Sequence, residues 1–333
     1  MHAFTYTATK TLAATLDALR TARPGTKILA GGTTLYDLMK LDIETPPAVI
    51  DVHRLAELNT IEVGEDELVF GSGARMADVA DHPAIRTDYP GLSESLWRAA
   101  SQQLRTMATV GGNLLQRTRC AYFRNGSEFP CNKREPGSGC AAIGGHDRGH
   151  ALLGGSGSCV ATYAGDFAIA LIAFDAVVDV AGPRGERSLP LAELHVEPGD
   201  DPAREHVLEP DELIVRIRVP ATPAGRGSTY LKIRDRESYA FALASAAVGL
   251  TFDADGFVDE CRIGLGGVAT RPWRATEAEQ ALLGRRLTPE ATRHAGEVAF
   301  AGARPGAANG FRVELGIRTV ADALRTAGER AVR

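Results

Sequence analysis

Ile28-Leu29-Ala30-Gly31-Gly32-Thr33-Thr34-Leu35 sets a short apolar strand, two glycines, two hydroxyl residues and a helix start in immediate succession. Glycine lets the main chain come close to an anion, and free N–H groups at a helix N-terminus bind phosphate oxygens. The stretch therefore predicts a strand–turn–helix unit with a phosphate-binding corner, although a Gly-Gly pair alone also makes ordinary tight turns. It is not a G-x-G-x-x-G fingerprint, so a Rossmann fold is not indicated. A second diglycine, in Thr109-Val110-Gly111-Gly112-Asn113, follows a helical segment rich in small residues. Two such turns could grip a pyrophosphate from two sides, as a dinucleotide-like ligand needs; the alternative is two unrelated turns.

Around the first corner the pattern is that of a small α/β unit ending near residue 55. Leu12, Leu16 and Leu19 share a helical face behind a Thr11 cap, and Ala48–Asp51 reads as a strand. Short strands and turns follow, then a helix expected to carry Leu96, Trp97, Ala100 and Leu104 on one face. Residues 117–160 are polar, weakly periodic and rich in Gly, Arg and Cys. They read as a long ordered loop, and one of that length in a compact domain is normally functional or externally stapled. Beyond it come a buried helix over 167–174, a strand at 177–180, and a strand whose Leu213, Val215, Ile217 and Val219 alternate with Arg216 and Arg218. Residues 221–228 are the linker candidate, before two strands and a closing helix bearing Val320, Leu324 and Ala327.

The length of 333 residues predicts two or three folding units. A net charge of −5 disfavours broad nucleic-acid or membrane-surface binding, which call for a basic face. The N-terminal residues show no basic segment followed by an apolar core, so no signal peptide of its own is expected. The longest apolar stretch, 168–180, is broken by Asp175 and Asp179 and falls short of the roughly 18 residues a membrane span needs.

Cys120, Cys131, Cys140 and Cys159 fall in the long loop, among Arg117, Arg119, Arg124, Lys133 and Arg134. Disulfides need an oxidising compartment. Structural zinc usually shows C-x₂₋₄-C knuckles, whereas the gaps here are ten, eight and eighteen residues. An iron–sulfur cluster also takes four thiolates, and its negative charge suits the basic neighbours. On the residues alone these three readings stay open. His146 and His150 read as solvated loop histidines, His195 and His206 as scattered without partner spacing, and Cys261 as a buried core thiol. No G-x-S-x-G, H-E-x-x-H or Walker sequence occurs.

In order, Ala30–Leu35, Thr109–Asn113, Gly165-Asp166-Phe167 and Tyr230-Leu231-Lys232 resemble the flavin-binding segments of the xanthine dehydrogenase and carbon monoxide dehydrogenase flavoprotein family, and the likeness spans nearly the whole chain. The insert between Asn113 and Asp166 resembles that of periplasmic aldehyde oxidoreductase flavoprotein subunits, where Cys-x-Tyr-Phe-Arg and Cys-Asn-Lys-Arg-x-Pro-Gly-Ser-Gly-Cys hold a [4Fe–4S] cluster. Here these are Cys120 to Arg124 and Cys131 to Cys140, with Cys159 as fourth ligand. The flavin subunit of 4-hydroxybenzoyl-CoA reductase has such an insert with a spacing that fits less well.

The resemblance implies an α+β fold: a two-part FAD-binding domain of the vanillyl-alcohol-oxidase/PCMH type over 1–222, divided near 55 and carrying the [4Fe–4S] loop at 117–160, then a smaller α+β domain over 228–333. It implies that Ile28, Leu29, Ala30, Gly31, Gly32, Thr33, Thr34 and Leu35 form the first pyrophosphate loop and that Ala100, Ser101, Thr109, Gly112 and Asn113 line the second. Asp166 would accept from a ribitol or ribose hydroxyl, Ile214 would contact the ring system and Lys232 would face the isoalloxazine. The implied assembly is a heterotrimer with a molybdopterin-binding large subunit, which oxidises an aldehyde, and a [2Fe–2S] small subunit, which passes electrons to FAD for an external acceptor. No C-x₄-C-x₂-C run supplies that relay here. The assembly is expected in the cytoplasm, or in the periplasm by co-export with a partner. A self-contained flavin reductase such as UDP-N-acetylenolpyruvylglucosamine reductase has a similar diglycine turn but no reason to carry four loop cysteines.

Overall fold

The computed structural model describes residues 1–332, so Arg333, the end of the expected C-terminal unit, lies outside the described residues. Three sheets organise the chain. In the first lobe, strands β1 (Thr5–Ala8), β2 (Lys27–Leu29) and β3 (Ala48–Asp51) form a parallel sheet in the order β1-β3-β2. Parallel neighbours need crossovers, which the helices Leu12–Arg20 and Leu35–Lys40 supply. Thr11 caps the first by accepting from the Ala14 N–H, as expected. Leu19, Ile50, Val52, Leu55 and Leu58 make its core, which reaches Leu213 in the next lobe.

The second lobe is an antiparallel sheet, β4-β5-β8-β6-β7, of β4 (Ile61–Val63), β5 (Glu67–Gly71), β6 (Val177–Gly182), β7 (Gly185–Pro190) and β8 (Leu213–Pro220). The expected alternation in β8 breaks at Val215, where the register with β6 shifts and Ile214 joins the core while Leu213 and Val215 face the first lobe; beyond it Ile217 and Val219 are buried, while Arg216 and Arg218 turn to the other face. There both bind Asp179 of β6, at 2.6 and 2.9 Å. The helix Phe167–Ala173 is buried along its whole length and packs between this sheet and the third.

The third sheet, β12-β11-β10-β9, is antiparallel and built from β9 (Ser228–Ile233), β10 (Ala244–Phe252), β11 (Val258–Gly266) and β12 (Trp273–Arg274). The helices Pro289–Ala299 and Phe311–Ala331 complete its core, with Val320, Leu324 and Ala327 inward and Cys261 a buried thiol as expected. The fold is thus α+β. Among the described residues no helix is long and apolar enough to cross a membrane.

One local expectation fails. The single helix through Leu96 and Leu104 is two, Pro90–Trp97 and Gln102–Arg105. Ala100 lies at φ +49°, and Trp97 is 46% exposed. The cause is polar: the Arg98 carbonyl accepts from Lys232 Nζ at 3.0 Å, and Ser101 starts a new helix by accepting from the Leu104 N–H. The stretch 221–228 connects the second sheet to the third, as expected of the linker, and it is packed. Ala224 and Gly225 are buried, and a Cβ on Gly225 would come within 2.6 Å of the Tyr89 ring.

One buried cation ties the long loop to the C-terminal helix. Arg312, fully buried, donates to the carbonyls of Leu243 (2.9 Å), His150 (2.6 Å) and Gly267. A leucine there would strand these acceptors, each at a cost of about 1–3 kcal/mol when buried and unpaired. Arg312→Leu is expected to destabilise the chain by roughly 3 kcal/mol, read by urea unfolding.

Candidate cofactor site

A cleft of about 800 Å³ opens where the first two lobes meet. The whole of 28–35 lines it, with Thr109, Gly112, Asn113 and Ile214, so both diglycines face one cavity. Their roles differ. Gly32 takes the corner at φ +72°, which favours glycine. Among the described residues' hydrogen bonds, the N–H groups of Gly32, Thr33, Thr34 and Leu35 have no partner within the chain. Four free donors at a helix start suit phosphate oxygens.

The second diglycine is no such cradle. It lies in the short helix Val110–Leu114, where Gly111 N–H donates to Ser72 O, Gly112 N–H to Thr109 Oγ1 and Asn113 N–H to Thr109 O. Those donors are spent. Gly31 and Gly111 instead permit close packing: a Cβ on Gly31 would collide with the Met107 carbonyl, and one on Gly111 would lie 2.6 Å from Ser72 Cβ. What the second segment offers the cleft is Asn113, whose Oδ1 is buried without a hydrogen bond.

Ala100, Ser101, Asp166 and Lys232 do not line this cleft. Lys232 and Asp166 are both buried and paired at 2.8 Å, and Asp166 also accepts from the Tyr230 hydroxyl at 2.6 Å. Lys232 reaches the Arg98 carbonyl, beside the Ala100–Ser101 break, so these residues form a second constellation. Burial and the Asp166 charge push the Tyr230 phenol well up, keeping it a neutral donor. In this structure the Asp166 carboxylate is engaged by Tyr230 and Lys232.

The cleft wall carries groups the sequence did not reveal. Arg117 bridges Glu205 (2.5 Å) and Glu44 (2.6 Å), Lys133 binds Glu205 at 3.0 Å, and Lys27 binds Glu44 at 3.1 Å. Burial opposes the Glu205 carboxylate, but Arg117 and Lys133 outweigh it and hold its pKa below the usual range. His195 and His206 pair across an isolated bridge and both line the cleft. His195, bonded to Leu114 O at 2.8 Å, is pushed down to about 4 by burial and is neutral. No spacing marks these residues in sequence, because a packed irregular segment brings them together.

All four loop cysteines line one small second cavity, and all are free thiols. Cys131 and Cys140 face each other across an isolated antiparallel bridge. A hydrogen bond from Cys159 is the main cause holding the Cys140 thiol well below its ordinary range. Burial pushes Cys120 up. Among the described residues, no three His, Cys, Asp or Glu side chains gather closely enough to hold one metal ion. Lys133 and Ala161 belong to both cavities, so the cysteines sit behind the cleft wall. His150, expected in solvent, is buried with Nε2 3.2 Å from Cys120 Sγ.

Residues 2–222 match the FAD binding domain in molybdopterin dehydrogenase, and 229–327 the CO dehydrogenase flavoprotein C-terminal domain. The chain is a FAD-binding subunit of the molybdenum hydroxylase family. It is 46% identical to the aldehyde oxidoreductase FAD-binding subunit PaoB of Escherichia coli (strain K12), over 99% of this chain and 100% of that one. It is 26% identical to the carbon monoxide dehydrogenase medium chain of Hydrogenophaga pseudoflava, over 91% and 88%. A solved carbon monoxide dehydrogenase from Hydrogenophaga pseudoflava superposes with a TM-score of 0.76 at 28% identity, covering 99% of this chain and 98% of that one.

For this flavin subunit the orphaned Asn113 oxygen separates binding from stability. Asn113→Leu removes a buried unpaired acceptor, so the FAD-free protein should be as stable as the parent or more so. FAD should bind roughly 3- to 10-fold more weakly, the worth of one hydrogen bond. Flavin fluorescence titration and thermal unfolding of the flavin-free protein check the two halves.

Proposed function

We propose that the chain is the flavin-carrying subunit of a molybdenum-dependent aldehyde oxidoreductase. In this reading it stands between a [2Fe–2S] small subunit and an external electron acceptor, with a molybdopterin-binding large subunit oxidising the aldehyde. The observation that carries the reading is the 46% identity, end to end, with an aldehyde oxidoreductase FAD-binding subunit. Bound FAD supplies the junction between single-electron entry and two-electron exit. The chain's own work is to hold it: the free N–H groups of Gly32 to Leu35 take phosphate oxygens and Asn113 contributes an acceptor. The Asp166–Lys232–Tyr230 constellation offers buried charge and hydrogen bonds near the Arg98 break.

We propose further that Cys120, Cys131, Cys140 and Cys159 bind a [4Fe–4S] cluster. Four free thiols around one cavity, with no disulfide among them, are the donor set such a cluster takes. Arg119 and Arg124, on either side of Cys120, share the one carboxylate of Asp37 and keep Arg119 Nε and Arg124 Nη1 buried without a hydrogen-bond partner, donors suited to an anionic centre. The role proposed is mainly structural. The loop leaves the cleft at Asn113 and returns at Asp166, and Lys133 within it holds Glu205 in the cleft wall. Metal-ligand free energy would then hold both cofactor segments in register.

The isolated chain should bind FAD and four irons and show no aldehyde turnover; steady turnover by the chain alone overturns the subunit reading. In the assembled enzyme, Cys131→Ser should lower thermal stability and FAD content, while the flavin that remains is reduced at a near-normal rate. Unchanged stability and flavin content with stalled flavin reduction would make the cluster a relay instead.

A further inference from the structure

The cysteine sulfurs do not share one environment. Cys159 Sγ accepts from the Ala161 N–H at 3.4 Å. Cys120 has an imidazole: His150 Nε2 lies 3.2 Å from its sulfur. Among the described residues this is the one nitrogen-bearing side chain hydrogen-bonded to a cysteine sulfur. A neutral imidazole carries one N–H, and a metal-bound thiolate can only accept, so the proton belongs on Nε2. His150 Nδ1 is buried without a partner, consistent with an unprotonated nitrogen there.

The imidazole is held from outside its own loop. The His150 carbonyl accepts from Arg312 Nη1 at 2.6 Å and Asn309 Nδ2 at 3.3 Å, both from the C-terminal domain. The His150 N–H donates to Asp147 O at 2.8 Å, and Asp147 Oδ1 accepts from the Ala308 N–H at 2.8 Å. On the other side Ala151 N–H donates to Val160 O, next to Cys159, and the ring lies beside Tyr122. Each main-chain neighbour of His150 is therefore fixed, and the ring is aimed at Cys120.

We infer that His150 is a positioning residue for the cluster: its Nε2–H donates to the Cys120 thiolate, raising the cluster's reduction potential, and Arg312 and Asn309 keep it there. A donor to a ligating sulfur withdraws charge from it and favours the reduced, more negative cluster, the lever by which hydrogen bonds to sulfur set such potentials. The inference rests on the [4Fe–4S] reading above. It makes the C-terminal domain a contributor to the cluster's electronic environment, although all four thiolates come from the FAD-binding domain.

The test uses the assembled enzyme with His150→Leu and His150→Gln, since glutamine can present an N–H where Nε2 stands. Iron and FAD are counted per chain, and the cluster is titrated potentiometrically by electron paramagnetic resonance. With iron and FAD at parent levels, His150→Leu should cut the reduced-to-oxidised ratio at fixed potential by about tenfold, ~59 mV for a one-electron couple. His150→Gln should recover most of it. A Leu variant with full iron and unmoved potential overturns the inference. Should the Leu variant lose iron, or the cluster resist reduction, iron release to a chelator decides. Parent-like retention by His150→Gln supports the donor, and loss as fast as in His150→Leu overturns it. Parent enzyme without iron would instead overturn the cluster reading itself, a failure seen before any variant is made.

Discussion

The two lobes of the FAD-binding domain touch main chain to main chain, and the cofactor cleft exists because they do. At Gly31 the first lobe presses on the Met107 carbonyl and Ala108 Cα; at Gly111 the helix start presses on Ser72; at Gly71 the edge of β5 presses on Leu58 and Thr60. None of these places has room for a Cβ. A side chain at Gly31 would push the lobes apart and one at Gly71 or Gly111 would disrupt the second lobe behind the cleft, shifts that a close-packed interior resists. The cleft's width is then set by glycine contacts behind it, before any ligand is considered. The familiar reading of a diglycine as a phosphate cradle applies to Gly32 and the three N–H groups after it. Gly31, Gly111 and Gly112 serve the wall.

That division of labour explains what could be read from the sequence. The strand–Gly-Gly–helix unit, the Thr11 cap, the alternation of β8 beyond Val215 and the buried helix over 167–173 are local patterns with a period or a cap to announce them, and the structure has each of them. The broken helix at 98–101 was not legible. Its cause is Lys232, more than a hundred residues away, which takes the Arg98 carbonyl out of helical pairing. The same holds for Arg117, Lys133, Glu205, His195 and His206. Glu205, His195 and His206 reach the cleft because an irregular segment over 195–212 folds back across it, Arg117 and Lys133 reach it from the cysteine loop, and neither segment carries a periodicity. For the two diglycines the sequence pointed to one cavity but not to which N–H groups stay free, since that depends on Ser72 and Thr109 claiming the second set.

The cysteine loop shows how a segment with almost no regular structure becomes a fixed part of a fold. It has little apolar surface of its own to bury: Phe123, Cys131 and Cys120 pack on Leu38 in the smallest of the clusters. Order comes from polar anchors spread along its length. Arg117 and Lys133 fasten it to Glu205 and Glu44 at the cleft, Arg134 collects the carbonyls of Tyr122, Phe123 and Phe129, and Arg312 and Asn309 hold the far end. Leu152 and Leu153 then pair with Val268, so the loop closes onto the third sheet before returning to Asp166. Most anchors join a charged donor to a carbonyl or a carboxylate, the stronger class of hydrogen bond.

Those anchors also decide where the loop can give. Arg312 and the Val268 pairing leave residues 147–153 little freedom, whereas Arg119 and Arg124 near Cys120 keep buried nitrogens without partners. Both guanidinium groups share the single carboxylate of Asp37, and a buried donor without a partner is costly. The loop is therefore tightly anchored at its C-terminal-domain end, while at its cysteine end two arginines lean on one carboxylate and keep a hydrogen-bond donor spare. Because Lys133 and Ala161 face both the cysteine cavity and the cleft, tightening at one is felt at the wall of the other.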